Sequence, residues 1–218
     1  MHHFNWGGEE IWLVPEMAIH LPEHKTLVVS DLHLSKTGHF RKSGVPVPQQ
    51  VYVEDLQRLL SLIQSNKIEK LIVVGDFFHS HANKELEFFS RWRNDFSQLK
   101  IALVKGNHDI LSNDWYNENK IDLYDEELLT INKISFIHDY SLLQKNLTQE
   151  DNFFISGHIH PSIYINGKSR QGFRLPCFYF SGKHAVLPAF SKFSGYATVK
   201  PKKGDYVFGI ANNKILPL

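Results

Sequence analysis

Carboxylate, amide and imidazole side chains follow five short apolar segments of the sequence, at 27–30, 71–74, 101–105, 134–137 and 153–156. Three of these segments reach their polar residue through a glycine. The polar residues are Asp31, His33, Asp76, Asn107, His138, His158 and His160. Oxygen and imidazole donors without a thiolate suit Mn, Fe or Zn ions better than a structural zinc cage or a calcium loop.

The apolar segments are the elements that must position these donors. Short runs of β-branched and aliphatic residues predict strands that are buried on both faces of a layered α/β core. Ligands bind beyond the carboxyl ends of the strands in open α/β sheets, so we expect the five exits to meet in one crevice. Seven donors exceed the needs of one tetrahedral ion and fit two ions that share a carboxylate. Two ions roughly 3.5–4 Å apart support in-line phosphoryl displacement.

The remaining sequence predicts the elements between and after these strands. Apolar residues at helical spacing predict helices over about 49–65 and 83–96, which would join the first three core strands in parallel. A hairpin or edge pair is expected before them, over 11–21. In the second half, Asn132-Lys133 and Asn166-Gly167 are predicted two-residue hairpin turns. We therefore expect a second sheet with antiparallel pairing, packed on the first.

The order of these motifs resembles the calcineurin-like metallophosphoesterase superfamily. The family's five blocks match Asp31-Leu32-His33, Gly75-Asp76, Gly106-Asn107-His108-Asp109, His138 and Gly157-His158-Ile159-His160. The fourth block reads His138-Asp139 here, where the family often has His-Gly. The resemblance spans most of the chain. It implies an α/β fold, a four-layer α/β/β/α sandwich with two mixed sheets, as a single domain over 1–218.

The resemblance also implies how two divalent ions would be bound. One ion would be held by Asp31, His33 and His160, and the other by Asn107, His138 and His158, with Asp76 bridging them. A water or hydroxide between the ions would be the nucleophile, because a metal lowers the pKa of bound water from about 16 to near 7. Manganese is the expected metal, with Fe, Zn or Ni as alternatives.

His108 and Asp109 are the predicted catalytic pair. In the family, the histidine that matches His108 protonates the leaving oxygen or steadies the phosphate, and imidazole has a suitable pKa for this at neutral pH. Asp109 would orient His108 and favour its imidazolium form. The alternative is that His108 only forms hydrogen bonds within the scaffold.

Segments outside the metal blocks resemble, more narrowly, the bacterial ligase-associated DNA damage response phosphoesterases. The matching segments lie within 31–48, 75–80 and 187–195, with Ser35 where that family usually has glycine. This resemblance implies DNA as the phosphodiester substrate, an endonuclease role in DNA repair, and a functional association with a DNA ligase and a helicase. Lys36 and Arg41 are then candidate backbone-phosphate contacts, and His79 is expected near the metals. A solvated, lysine-rich loop is the alternative for the first two.

Composition restricts the function classes further. The formal net charge is only +1, which argues against a strong non-specific DNA binder but not against a nuclease. Cys177 is the only cysteine, so neither a disulfide within the chain nor a CxxC metal site can form. No apolar run approaches the about 20 residues of a membrane span, and we expect a cytoplasmic protein without a membrane partner.

Three functions agree with these observations. The favoured one is a metal-dependent DNA phosphodiesterase that acts in repair. The second is a phosphoesterase for a small substrate such as a cyclic nucleotide or a dinucleotide, which the near-neutral charge allows. The third is a non-catalytic binding module, which is disfavoured because no position of the metal motifs is lost.

Overall fold

Two mixed β-sheets pack face to face in the computed structural model. The structure describes residues 1–34, 50–78, 84–143, 152–167, 172–192 and 194–218. None of the helices in these ranges is long and apolar enough to cross a membrane.

The first sheet has seven strands in chain order across the sheet. They are β1 (His2–Trp6), β2 (Glu9–Val14), β3 (Ala18–Leu21), β4 (Thr26–Val29), β5 (Lys70–Val74), β6 (Lys100–Val104) and β7 (Ile121–Tyr124). Strands β1 to β4 pair antiparallel, whereas β4 to β7 pair parallel. The ends of β4, β5 and β6, from which four of the predicted donors follow, are therefore side by side.

The second sheet has nine strands within the described residues. They are β8 (Leu129–Ile131), β9 (Ile134–Phe136), β10 (Phe153–Ser156), β11 (Pro161–Asn166), β12 (Gly172–Ser181), β13 (His184–Val186), β14 (Ala197–Thr198), β15 (Tyr206–Ala211) and β16 (Lys214–Pro217). Strand β10 pairs parallel with both β9 and β13, which brings the exits of β9 and β10 together.

The α-helices of the described ranges cover the outer face of the first sheet. They are α1 (Gln50–Ser65), α2 (Lys84–Asp95) and α3 (Asn113–Glu118). Alternation along the parallel strands fixes this arrangement: in β5, Leu71 and Val73 pack toward the helices, whereas Ile72 and Val74 pack toward the second sheet. Both faces of the strand are buried, as its continuous apolar sequence predicts.

The predicted two-sheet α/β architecture is confirmed, as are the helices near 49–65 and 83–96 and the hairpin at Asn132-Lys133. A 3-10 helix, Tyr140–Leu142, lies on the outer face of the second sheet. The ring of Tyr140 stacks on the ring of His184, with centroids 3.7 Å apart. The prediction of a two-residue hairpin turn at Asn166-Gly167 is wrong. Asn166 pairs with Gly172, so the connection between β11 and β12 covers 167–171.

Candidate active site

The exits of β4 and β5 are joined by backbone hydrogen bonds beyond the last strand residues. The amide of Asp31 donates to the carbonyl of Gly75 at 3.1 Å, and the amide of His33 donates to the carbonyl of Asp76 at 2.8 Å. In the second sheet, the amide of Gly157 donates to the carbonyl of His138 at 3.1 Å. These bonds hold the exits in a fixed relation and position the side chains that follow them.

Five predicted donors have left-handed backbone conformations. The residues and their φ angles are Asp31 at 53°, His33 at 46°, Asp76 at 53°, His158 at 69° and His160 at 49°. A strand would place Asp31 and His33, and likewise His158 and His160, on the same side, because residues two apart in a strand point the same way. Each pair instead lies beyond the last residue of its strand. Left-handed conformations cost non-glycine residues about 1 kcal/mol or more each and tend to cluster at functional sites.

The first donor group consists of Asp31, His33 and His160, whose ligand atoms all lie within 4.8 Å of one another. Oδ1 of Asp31 is 3.2 Å from Nε2 of His160, and both atoms are buried. Neither atom makes a hydrogen bond with the described residues. The other ring nitrogen of His160, Nδ1, lies 3.0 Å from the carbonyl oxygen of Gly195, which leaves Nε2 free to bind a metal.

The second donor group is Asp31, Asp76 and His138, also within 4.8 Å of one another. Asp76 lies between two histidines: its Oδ2 is 3.9 Å from Nε2 of His33, and its Oδ1 is 3.5 Å from Nε2 of His138. Nδ1 of His138 lies 3.0 Å from the carbonyl oxygen of Val74, so Nε2 again faces the site. Nδ1 of His158 lies 3.2 Å from Nε2 of His138, which adds a further imidazole to this group.

The charges of Asp76 and His138 depend on each other. Burial alone would lower the pKa of His138, but the hydrogen bond and charge of Asp76 raise that pKa to about 9. Burial would raise the pKa of Asp76, yet His138 and the amide of His108 hold it well below its ordinary value. The metal-free pair is therefore carboxylate and imidazolium, and an ion that binds here must displace the proton from His138.

Three glycines leave space for this arrangement. A Cβ atom on Gly75 would overlap the imidazole of His138, and one on Gly106 would overlap the carboxylate of Asp76. On Gly157, a Cβ would lie 2.6 Å from Oδ2 of Asp31. The glycines at the strand ends therefore permit close approach between donors and the neighbouring backbone.

Asp109 has a different set of contacts from the predicted one. Its buried carboxylate accepts hydrogen bonds from the backbone amides of Phe77, Phe78 and Gly106, at 2.9, 3.0 and 2.9 Å. These contacts connect the turn after β5 to the turn after β6, and burial raises the pKa of Asp109 to about 7. The expected contact with the ring of His108 is thus replaced by contacts with the backbone around Asp76.

The amide of His108 donates to Oδ1 of Asp76 at 3.0 Å. Its ring lies 5.5 Å from the ring of His33, measured between centroids, so the imidazole is at the edge of the donor groups. Asn107 is exposed and lines the same cavity as His138 and His158. This cavity has a volume of about 720 Å³.

Several residues at the site were not predicted as functional. The backbone amide of Ser191 donates to the carbonyl of Asp31 at 3.2 Å, and Gly195 fixes His160 as described above. Asp139 lies 3.8 Å from Nε2 of His158, measured from Oδ2. The departure from His-Gly in the fourth motif could have drawn attention to Asp139. Lys36, Arg41 and His79 lie outside the described residues.

The donor groups fit divalent metal ions. They combine carboxylate oxygens with imidazole nitrogens. In His138 and His160, the ring nitrogen that faces away from the site lies at hydrogen-bond distance from a backbone carbonyl oxygen. Oδ1 of Asp31 and Nε2 of His160, which face each other, make no hydrogen bond among the described residues. The family model for calcineurin-like phosphoesterases matches residues 24–178. The chain belongs to the calcineurin-like phosphoesterase family. It is accordingly a metal-dependent hydrolase of phosphoesters.

Solved structures resemble this member of the family to different degrees. The crystal structure of Pseudomonas putida nuclease MPE is 26% identical and has a TM-score of 0.80, with 100% of this chain and 99% of that chain covered. A protein of unknown function from Aquifex aeolicus is 18% identical, with a TM-score of 0.42 and coverage of 62% and 78%. YfcE, a phosphoesterase from E. coli, is 15% identical, with a TM-score of 0.47 and coverage of 88% and 96%. No curated protein matches the sequence.

Proposed function

We propose that the chain is a DNA phosphodiesterase that works with two divalent metal ions, Mn²⁺ first among them. The observation that carries this proposal is the position of Asp76, one oxygen of which lies near His33 and the other near His138. A carboxylate in that position can bridge two ions. The ions would be held by the donors named above: Asp31, His33 and His160 for one, Asn107, His138 and His158 for the other.

The chain's own residues have distinct parts in the reaction. Two bound ions supply activation of a water nucleophile and neutralisation of phosphate charge. His108 donates a proton to the leaving oxygen, and its backbone bond to Asp76 keeps its ring beside the donor groups. Asp109 is a positioning residue that acts through the backbone of both turns.

DNA is proposed as the substrate because the chain resembles a nuclease over its full length, at 26% identity. The narrower sequence resemblance supports endonuclease action in DNA repair and a functional association with a DNA ligase and a helicase. These finer assignments depend on the resemblance alone.

Cleavage of circular single-stranded DNA by protein loaded with Mn²⁺ tests the proposal. A circle has no end, so nicking that is lost in the His108→Ala variant would support an endonuclease. The loss should be about 10²–10⁴-fold in kcat if His108 is a general acid. Hydrolysis of bis-p-nitrophenyl phosphate should fall less, because p-nitrophenolate leaves without a proton. An intact circle beside rapid hydrolysis of the small diester would contradict endonuclease action.

Metal content tests the bridging role of Asp76 separately. The Asp76→Asn variant should bind fewer than two ions per chain and lose hydrolysis of every diester. If it retained two ions and full turnover, Asp76 would not be the bridging ligand.

A small-molecule diester is the second candidate substrate. The cavity beside His138 and His158 favours it, because a volume of about 720 Å³ can enclose a small ligand. Competition separates the two substrates: DNA should inhibit hydrolysis of the chromogenic diester if DNA is the substrate, and should have no effect otherwise.

A further inference from the structure

The cavity beside the donor groups extends well past the residues that the proposed chemistry needs. Asn107, His138 and His158 line one side of it. Away from them, it is lined by side chains from the end of β7 and from the 3-10 helix, including Tyr124 and Leu142. Its volume of about 720 Å³ is within the range of about 300–1,000 Å³ that small-ligand sites occupy.

Apolar surface is available in this cavity. Leu142 is 72% exposed although it is a leucine, and it lies four residues after His138. Tyr124 and Leu143 are half-buried and line the same space. An apolar face that borders a reaction centre offers a flat, uncharged group a surface on which to pack.

Away from His138 and His158, the charge of the cavity lining is negative. This part of the lining includes the four carboxylates Asp125, Glu126, Glu127 and Asp139 and one lysine, Lys105. Nζ of Lys105 is 2.6 Å from Oδ2 of Asp125, so this cation is already paired. In this part of the cavity, a second phosphate group would be repelled, whereas amino groups would find acceptors. Carboxylates accept hydrogen bonds from the exocyclic amines of nucleobases.

We propose that this cavity binds the nucleoside on one side of the scissile phosphate, with a preference for bases that carry an exocyclic amine. The phosphate lies at the donor groups, the base packs against Tyr124 and Leu142, and the carboxylates of Glu126 and Glu127 accept from the base. The next phosphate of a strand lies outside the cavity, because the carboxylates repel it. This inference depends on the proposed phosphodiesterase function and names the substrate group that the site recognises.

Calorimetric titration of the Mn²⁺-loaded protein tests the inference without catalysis. The ligands are inorganic phosphate, the 3′- and 5′-monophosphates of deoxyguanosine, and those of thymidine. At least one of the two deoxyguanosine monophosphates, 3′ or 5′, should bind roughly tenfold or more tightly than inorganic phosphate, since a stacked base adds that much affinity. The matching thymidine monophosphate should show a smaller advantage, because thymine has no exocyclic amine.

Two variants locate that advantage in the cavity. Leu142→Ser and Glu127→Gln should each reduce the ratio of phosphate to deoxyguanosine monophosphate dissociation constants by roughly threefold or more. The matched controls Leu218→Ser and Glu87→Gln, both exposed and outside the cavity lining, should leave the ratio unchanged. All four positions are exposed, so folding should persist in each variant.

The inference is overturned if neither deoxyguanosine monophosphate binds more tightly than phosphate, or if both cavity variants keep the full ratio. Failure of the proposed function gives a different result. In that case the wild-type protein would hydrolyse neither DNA nor bis-p-nitrophenyl phosphate, whatever the nucleotide affinities.

Discussion

Gly75 lies directly against the ring of His138, so a Cβ atom at this position would overlap the imidazole. The ring cannot move far, because its Nδ1 lies 3.0 Å from the carbonyl oxygen of Val74. One glycine just beyond a strand of the first sheet therefore sets the position of a donor that follows a strand of the second sheet.

Gly75→Ala should consequently displace His138 and lower hydrolysis of bis-p-nitrophenyl phosphate by about 100-fold, the scale expected when a reacting group is misplaced by about 1 Å. The same variant should bind less metal, which elemental analysis measures. Because Gly75 has a φ of +78°, strain contributes as well.

Two further variants separate overlap from strain. Gly204 has a φ of +98° with nothing near its Cβ position, so Gly204→Ala should lose stability and keep its activity. Gly157 has no positive φ, yet its Cβ would lie 2.6 Å from Asp31, so Gly157→Ala should lose activity. Equal activity in these two variants would contradict the role of close approach.

Asp109→Asn should destabilise the protein by about 1–3 kcal/mol. The carboxylate accepts hydrogen bonds from three backbone N–H groups, and in the variant the side-chain NH₂ group would face at least one of these donors. Urea unfolding measures this loss. Turnover should fall with it, since the segments that carry Asp76 and His108 lose one of the contacts that join them. If Asp109 instead acted on the ionisation of His108, the variant would shift the pH–rate profile and leave the unfolding free energy unchanged.

His184 should make the protein less stable at acidic pH. Burial lowers the pKa of His184 to about 4, and its Nε2 lies 2.8 Å from Oγ of Ser156. Between an unfolded pKa of about 6.5 and the folded value, the unfolded chain binds a proton that the folded chain does not. The free energy of unfolding should therefore decrease as pH falls through this range, by up to about 3 kcal/mol.

His184→Gln removes this titration and keeps a polar group near Ser156. Urea titrations at pH 7, 6, 5 and 4.5 should show a flatter profile for the variant than for the wild-type protein. Parallel profiles would mean that His184 is protonated in the folded state as readily as in the unfolded chain.

Removal of metal should lower thermal stability. Oδ1 of Asp31 and Nε2 of His160 are buried and make no hydrogen bond with the described residues, so a bound cation would satisfy both. At a hundredfold excess over its dissociation constant, a ligand adds about 2.7 kcal/mol, which corresponds to roughly 5–10 °C in a protein of this size. Calorimetry with Mn²⁺ and then EDTA measures the shift. Asp31→Asn should reduce it, and an undiminished shift in that variant would place the cation elsewhere.

The sequence was informative about the strands and about which residues follow them. Alternation and apolar runs identified β4, β5, β6, β9 and β10, because buried strands leave a continuous pattern. The left-handed conformations of Asp31 and His33 could not be predicted in this way. No glycine marks them, and they depend on hydrogen bonds to Gly75 and Asp76, more than 40 residues away.

The contacts of Asp109 could not be predicted from the sequence either. Its sequence neighbour is His108, so a local pairing was the natural expectation. The amides of Phe77 and Phe78 compete for the carboxylate and are about 30 positions away, which no local pattern reveals. Strands β1, β7, β15 and β16 were also not predicted, although all four pair in the sheets.

The division of the donors between the two sheets has a consequence for folding. Asp31, His33, Asp76 and Asn107 follow strands of the first sheet, whereas His138, His158 and His160 follow strands of the second. Contacts between residues so distant in sequence require the closure of long chain segments, which costs conformational entropy. The site is therefore a reporter of complete assembly: a nascent chain released before about residue 160 would carry most of the donors and no working centre.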